Sequence, residues 1–229
     1  MPNWVFNHLA IEGDKSDIDK VKSQLNSPFS TKFPRWNSQT QSYDPSTTTY
    51  SNPVFAFWNI IRPTDMETYY LQEDPNADKS KVFSGDNWYS WNTRNWGTKW
   101  DVAIRDNDDG YKDTTLDESD DFIMYRFDTA WSPPCEAIEK LSAQYPQLTF
   151  RLSFEEEQGW GGEIEFVNGK QTALSEYGWK CRECDVELED VPYCEECDYD
   201  TCPECGYGEP DEKCQTHAVQ LASTGKAEA

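Results

Sequence analysis

A two-layer α+β sandwich, with helices on one face of an antiparallel sheet, followed by a small metal-held module at the C-terminus, is the architecture this 229-residue sequence predicts. Three observations carry it. Stretches of alternating bulky residues and amphipathic stretches of helical period follow one another as strand, helix, long insertion, strand, helix, strand, strand, an order that suits helices packed on one sheet face. Ten Trp, twelve Tyr and eleven Phe supply bulky core material, and the length suffices for one sizeable domain plus a small module. Near the C-terminus, seven cysteines and a histidine form four close pairs, Cys181/Cys184, Cys194/Cys197, Cys202/Cys205 and Cys214/His217, a donor set that can hold two tetrahedral ions.

Residues Trp4 to Ile11 alternate and predict the first strand, which Gly13-Asp14 breaks. Ser16-Asp17 can cap a helix through about Leu25, with Ile18, Val21 and Leu25 on one face. Residues 26 to 52 are dense in Ser, Thr, Asn, Gln and Pro and read as a long loop or an elaborated insertion. The apolar run Pro53 to Ile61 fits a short buried helix or a strand equally well, and Met66 to Tyr70 has helical potential. Asp106 to Asp121 is acidic and reads as a surface loop. Phe122 to Phe127 alternates into a second strand. A helix follows from about Cys135 to Gln144, with Ser132 as its cap, Pro133-Pro134 in the first turn and Pro146 as its stop. Leu148 to Phe154 is an alternating strand, and Glu163 to Val167 is its antiparallel partner, ended by Asn168-Gly169. The resulting division is a domain over 1–178, a metal module over 179–218 and a flexible tail over 219–229.

Trp88, Trp91, Trp96 and Trp100 fall within thirteen residues; all four exposed would make a large sticky patch. In this segment Asn92, Asn95 and Asp101 can bond backbone groups of an irregular turn, Gly97 can take a positive φ, and Lys99 can lie over an indole face. The segment reads as a core plug, or as the floor of a binding groove in which Trp91, Asn92, Asn95 and Lys99 meet a partner. Trp131 is expected to pack against the same cluster.

These residues resemble a known family. The opening Met1-Pro2-Asn3-Trp4-Val5-x-Asn7-x-Leu9-x-Ile11-x-Gly13, the stretch Asn92-x-x-Asn95-Trp96-Gly97-Thr98-Lys99-Trp100-Asp101 and the stretch Phe127-x-Thr129-Ala130-Trp131-Ser132-Pro133-Pro134 are similar to signatures of YubB-type proteins of phages and plasmids. The resemblance spans roughly residues 1 to 168. It implies a ferredoxin-like sheet topology and a mobile element acting in a bacterial cytoplasm, and it implies no particular reaction.

The ligand spacing of the tail is C-x2-C-x9-C-x2-C-x4-C-x2-C-x8-C-x2-H. Close cysteine pairs in a reducing compartment read as metal ligands rather than disulfides. Two Zn²⁺ ions suit four thiolates and three thiolates plus imidazole; iron in a four-thiolate site is the alternative, and Cys202-Pro-Glu-Cys205-Gly206 suits a rubredoxin-like knuckle. Seven thiolates and a neutral imidazole around two divalent ions leave a charge of about minus three, so the metal supplies most of the folding energy of a segment poor in apolar residues. The ions can be held sequentially or by a cross-brace. Tyr193-Cys194-x-x-Cys197-Asp198-Tyr199-Asp200-Thr201-Cys202-x-x-Cys205 is similar to the centre of ZZ-type zinc fingers. That resemblance implies the cross-brace, and it implies that Asp198 and Asp200 accept bonds from a partner's ammonium group. The chain departs from it in a Cys197–Cys202 gap one residue shorter and in Cys214 where a histidine is usual.

Lys and Arg total 20 against 43 Asp and Glu, a formal charge of -23. Such a field repels nucleic acid and anionic membranes and favours basic partners. No run approaches the roughly 20 apolar residues of a membrane span, and the N-terminus lacks the basic flank and apolar run of a signal peptide, so a cytoplasmic protein is expected. Cys135 reads as a buried or capping cysteine and His8 as structural. No nucleophile elbow, phosphate loop or metalloprotease helix occurs. The expected function is therefore a non-enzymatic interaction protein that binds a host protein, one that is basic or binds nucleic acid. Two alternatives are a mimic of nucleic-acid charge that inhibits such a host protein, and an enzyme with its site in the groove of residues 88–101 around Asn92, Asn95, Lys99 and Asp101. Direct nucleic-acid binding is disfavoured by the acidity of the tail.

Overall fold

The computed structural model describes residues 3–33, 35–44, 46–70, 87–106 and 114–180, together with the strand residues 187–188, 193–194 and 199–200. The chain divides into two compact units. The first comprises Met1–Glu156 and Glu163–Ser175; the second comprises Glu157–Gly162 and Glu176–Ala229.

The frame is β1 (Trp4–Glu12), α1 (Lys15–Leu25), a long insertion, β6 (Thr115–Glu118), β7 (Phe122–Ala130), α5 (Cys135–Gln144), β8 (Thr149–Glu156), β9 (Gly161–Val167) and β10 (Lys170–Tyr177). The sheet order is β10-β9-β8-β1-β7-β6. Strand β1 lies antiparallel to both β7 and β8, and β6 lies antiparallel to β7. Taken by themselves, β1, α1, β6, β7, α5 and β8 form a βαββαβ unit whose fourth, first, third and second strands are neighbours in that order. This is the ferredoxin-like topology, and β9 and β10 extend it at one side.

Alternation fixes which face is covered. Val5, Leu9 and Ile11 on β1, Ile123, Tyr125 and Phe127 on β7, and Phe150, Leu152 and Phe154 on β8 are all buried. They meet Ile18, Val21 and Leu25 of α1 and Ala137, Ile138 and Leu141 of α5. Each fully buried large side chain contributes about 1.5–3 kcal/mol. Residues between them, such as Phe6 and His8, point to the open face, where His8 is exposed.

The insertion is more ordered than its polar composition predicts. Strands β2 (Phe29–Thr31) and β5 (Thr48–Tyr50) pair, and between them β3 (Arg35–Asn37) pairs with β4 (Ser42–Asp44), giving two nested ribbons. The apolar run becomes a 3-10 turn at Phe57–Asn59, followed by α2 (Met66–Tyr69), α3 (Trp88–Trp96) and α4 (Val102–Asp106). Its rings complete the core: Phe55 stacks on Phe127 with centroids 4.9 Å apart, and Phe57 lies 5.9 Å from Trp96.

Several expectations are corrected. The cap of α1 is Asp14 rather than Ser16 or Asp17, with helix beginning at Lys15. Pro134 precedes α5, while the Ser132 hydroxyl donates to Gly97 O. Part of the acidic stretch 106–121 is edge strand β6, not loop; its Asp and Glu hid a strand because charged residues are depleted in strands but suited to exposed edges. β10, exposed along nearly its whole length, carries no apolar alternation. Asn168 (φ 50°) and Gly169 (φ 68°) form the two-residue turn that leads into it.

In the second unit, β11 (Trp179–Lys180) pairs with β12 (Glu187–Leu188) and β13 (Tyr193–Cys194) with β14 (Tyr199–Asp200). Cys181, Cys184, Cys197, Asp198, Cys202, Cys205, Cys214 and His217 lie outside the described residues, and Cys194 and Asp200 are described by their strands alone. Among the described residues no helix is long and apolar enough to cross a membrane.

Candidate functional site

The end of the sheet where β1 begins and β7 finishes carries the most distinctive surface of the first unit. Trp4 pairs with Ala130 across the β1–β7 ladder. One residue past Ala130, Trp131 adopts φ 72°, a left-handed conformation that costs an L-residue about 1–2 kcal/mol. The corner is held from several sides. Trp131 N–H donates to Asn3 O (2.9 Å). Thr129 Oγ1 donates to Ser132 O (2.8 Å), and buried Asn7 donates to Thr129 Oγ1 (2.9 Å). Thr98 Oγ1 donates to Ala130 O (3.0 Å). Such bracing keeps a strained residue in place, yet the indole it presents is 45% exposed.

The tryptophan-rich segment supplies the facing wall. It is an α-helix rather than the irregular turn expected from its sequence. Asn87 caps α3 by accepting from Ser90 N, and Gly97 ends it at φ 83°. A Cβ at Gly97 would sit 3.1 Å from Pro133 O and 3.2 Å from Cys135 N, so close approach as well as φ requires glycine there. The turn is locked when Asn92 donates to Lys99 O (2.9 Å) and Tyr69 OH donates to Asn92 Oδ1 (2.9 Å).

This turn brings Lys99 Nζ to 4.4 Å from the Trp100 ring centroid, 4.5 Å from that of Trp131 and 6.0 Å from that of Tyr89. All three contacts are in cation–π range. Tyr89 meets Trp131 edge-on at 6.1 Å, and Trp100 lies 6.1 Å from Trp4. Phe6, two residues along the same face of β1, is 49% exposed. An aromatic platform thus runs from Phe6 through Trp4, Trp100 and Lys99 to Trp131 and Tyr89. Asp128 and Glu155 flank Phe6 on the neighbouring strands. On the same open face, Arg126 is ion-paired with Asp117, and Arg151 with Glu12 (2.6 Å) and Glu165 (3.1 Å).

The residues singled out in the sequence separate into two groups. Lys99 joins the platform. Trp96 is fully buried, with its indole N–H donating to Ile61 O (3.1 Å). Trp91 is partly buried, edge-on to Tyr69 and Trp96. Asn92 is 2% exposed, and Asn95 donates to Trp91 O within its own helix. Asp101 is fully buried and accepts from the N–H groups of Phe57 (3.1 Å), Trp58 (2.7 Å) and Ala103 (3.1 Å). Its carboxyl is pushed up to about 7 by burial, against the pull of those three donors. Asn92, Asn95 and Asp101 therefore brace the fold and do not converge with Lys99 on one point. A cavity of about 300 Å³ lies elsewhere, lined in part by Tyr50, Pro53, Val54, Asp106 and Thr114.

Sequence reasoning overlooked Phe6, Trp4 and Tyr89 as surface groups. The signal was present: Trp4 and Phe6 share a strand face opposite the buried Val5 and Asn7.

Residues 99–192 match the family model described as the ferredoxin-like domain in Api92-like protein. Among curated proteins, none matches the chain. A solved structure, that of protein api92 from Yersinia pseudotuberculosis, is similar over 79% of this chain and 100% of its own, at 9% identity and a TM-score of 0.46.

Proposed function

We propose that this chain is a non-enzymatic interaction protein of a phage or mobile element, and that it docks a basic segment of a host protein on the platform of Phe6, Trp4, Trp100, Trp131 and Tyr89. One observation carries the reading: the fold maintains a strained backbone at Trp131 and leaves the indole 45% exposed. Strain retained at an exposed aromatic marks function rather than stability. Charge gives the partner its sign. The chain carries -23, Glu155 lies beside Phe6, and Arg126 and Arg151 on that face are held in ion pairs, so a cationic surface is the complement. Asp101, spent on three backbone donors, is unsuited to acid–base work.

In this reading the C-terminal module is a second contact element, clasped by two Zn²⁺ on Cys181, Cys184, Cys194, Cys197, Cys202, Cys205, Cys214 and His217, with iron in a four-thiolate site as the alternative. The support is its donor set and spacing, and the ZZ-like cross-brace and the YubB-type setting rest on the resemblances. Four protein donors per ion leave no open coordination position, which makes the metal structural. The charge also favours a narrower version in which the partner binds nucleic acid and this chain occupies that surface.

The test is affinity capture from bacterial lysate at moderate salt, on the full chain and on its Trp131→Gly variant. Proteins retained by the first and lost by the second are expected. Equal retention on both sinks the platform as the docking surface. Release of the captured protein by duplex DNA is the outcome expected of the narrower version.

A further inference from the structure

Lys99 sits in its surroundings as a ligand sits in a receptor. Its ammonium lies over two indole faces at 4.4 and 4.5 Å, with a phenol ring at 6.0 Å. Its backbone is fixed independently, through Asn92 and the turn at Gly97, so the side chain can leave without unmaking the turn. The Trp131 wall is held by the backbone corner and not by the lysine. The slot between Trp100 and Trp131 therefore persists when the lysine swings out.

We propose that Trp100, Trp131 and Tyr89 form a cation cage that Lys99 fills in the free protein, and that an arginine guanidinium of the partner takes its place. This rests on the docking reading above and names the anchor that the partner inserts. The exchange favours guanidinium over the resident ammonium for two reasons. Guanidinium is planar and stacks on indole faces, and it is the more weakly hydrated cation, so it gives up less on entering an aromatic slot. The displaced Lys99 returns to water, where an ammonium is strongly solvated. Glu155, beside Phe6, and the net charge of -23 raise the local concentration of an incoming cation.

Titration of the full chain with N-acetyl-arginine amide tests this, read by tryptophan fluorescence and by the shifts of the indole N–H resonances. N-acetyl-lysine amide and N-acetyl-citrulline amide, the neutral isostere of the arginine probe, serve as comparisons. The arginine probe is expected to bind saturably, more tightly than the lysine probe, with no binding of citrulline. Lys99→Ala and Lys99→Ser remove the resident competitor and are expected to tighten arginine binding by about tenfold, the scale of one desolvated cation–π contact. Trp131→Gly is expected to abolish it. If neither Lys99 variant binds arginine more tightly than the wild type, or if citrulline or lysine binds as well as arginine, the proposal is overturned. Lysate capture separates the two readings. A partner still lost on Trp131→Gly while the cage fails leaves the docking surface with another anchor. A working cage with the partner retained on that variant removes the docking reading and keeps the cation site.

Discussion

Replacing Trp131 by alanine and, separately, by glycine isolates the strain at the platform's corner. Both changes remove the same ring, so its lost contacts cancel between the two variants. With Trp131 45% exposed, roughly half of a surface of about 200 Å² leaves the interior in both variants, a shared loss of about 2–3 kcal/mol of burial at 25 cal/mol per Å², before the backbone difference. What differs is the backbone at φ 72°. Alanine keeps a left-handed penalty of about 1–2 kcal/mol; glycine escapes it but has the freer unfolded chain, at a cost of about 0.5–1 kcal/mol. The glycine variant should be the more stable by roughly 0.5–1 kcal/mol, which reverses the usual order of these two residues. Urea unfolding of the full chains, compared by midpoint at equal slope, reads this directly. An alanine variant as stable as the glycine variant, or more so, would refute the strain and with it the main support for the platform.

Two other predictions rest on separate parts of the chain. Asp101→Ala orphans three backbone N–H groups in the core. At about 1–3 kcal/mol per orphaned donor, less the relief of removing a buried carboxyl, the loss should be about 3 kcal/mol, and the same unfolding measurement showing under about 1 kcal/mol would place Asp101 outside the bracing role. For the tail, elemental analysis of the purified chain should find two zinc ions per molecule, and seven cysteines should resist alkylation until a chelator is added. Finding neither zinc nor iron, or sulfur–sulfur links among these cysteines, ends the metal reading.

The parts of the fold visible in the sequence are those where a single period dominates. Strand β1, helix α1, strand β7, helix α5 and strand β8 all follow apolar spacing, because each buries one face against the same core. Strands β6 and β10 were not legible because sheet edges bury little. Their residues are largely exposed on both faces, so composition obeys solubility and edge protection instead of the core. Helix α3 was obscured for the opposite reason. Four tryptophans crowd its neighbourhood, and their bulk suggested irregular packing, although Asn87 and Gly97 stood at its ends as cap and stop. At the site, Lys99 over an indole could be read from its neighbours, whereas the positive φ of Trp131 could not: nothing in the identity of a tryptophan followed by Ser-Pro-Pro announces a left-handed backbone.

The platform gathers residues 4–6, 89–100 and 131, and the topology explains why these distant segments meet. Because β1 and β7 are antiparallel central neighbours, the start of one strand and the end of the other necessarily lie side by side, in the register Trp4 with Ala130. The third contribution comes from an insertion that leaves the frame after α1 and returns near its own end. Its return is fixed in position by two bonds, Thr98 to Ala130 and Ser132 to Gly97. Loop-closure entropy rises slowly with length, so the β3–β4 ribbon, which lies beyond the buried Phe29 and Tyr50, can lengthen or shorten at small cost while the corner stays intact. The site is therefore tied to the frame through the turn at 97–101 and the strand ends rather than through the bulk of the insertion. Changes in the β3–β4 ribbon should leave the platform's geometry in place, whereas loss of either tie at 98 or 132 should loosen Lys99 and Trp131 together.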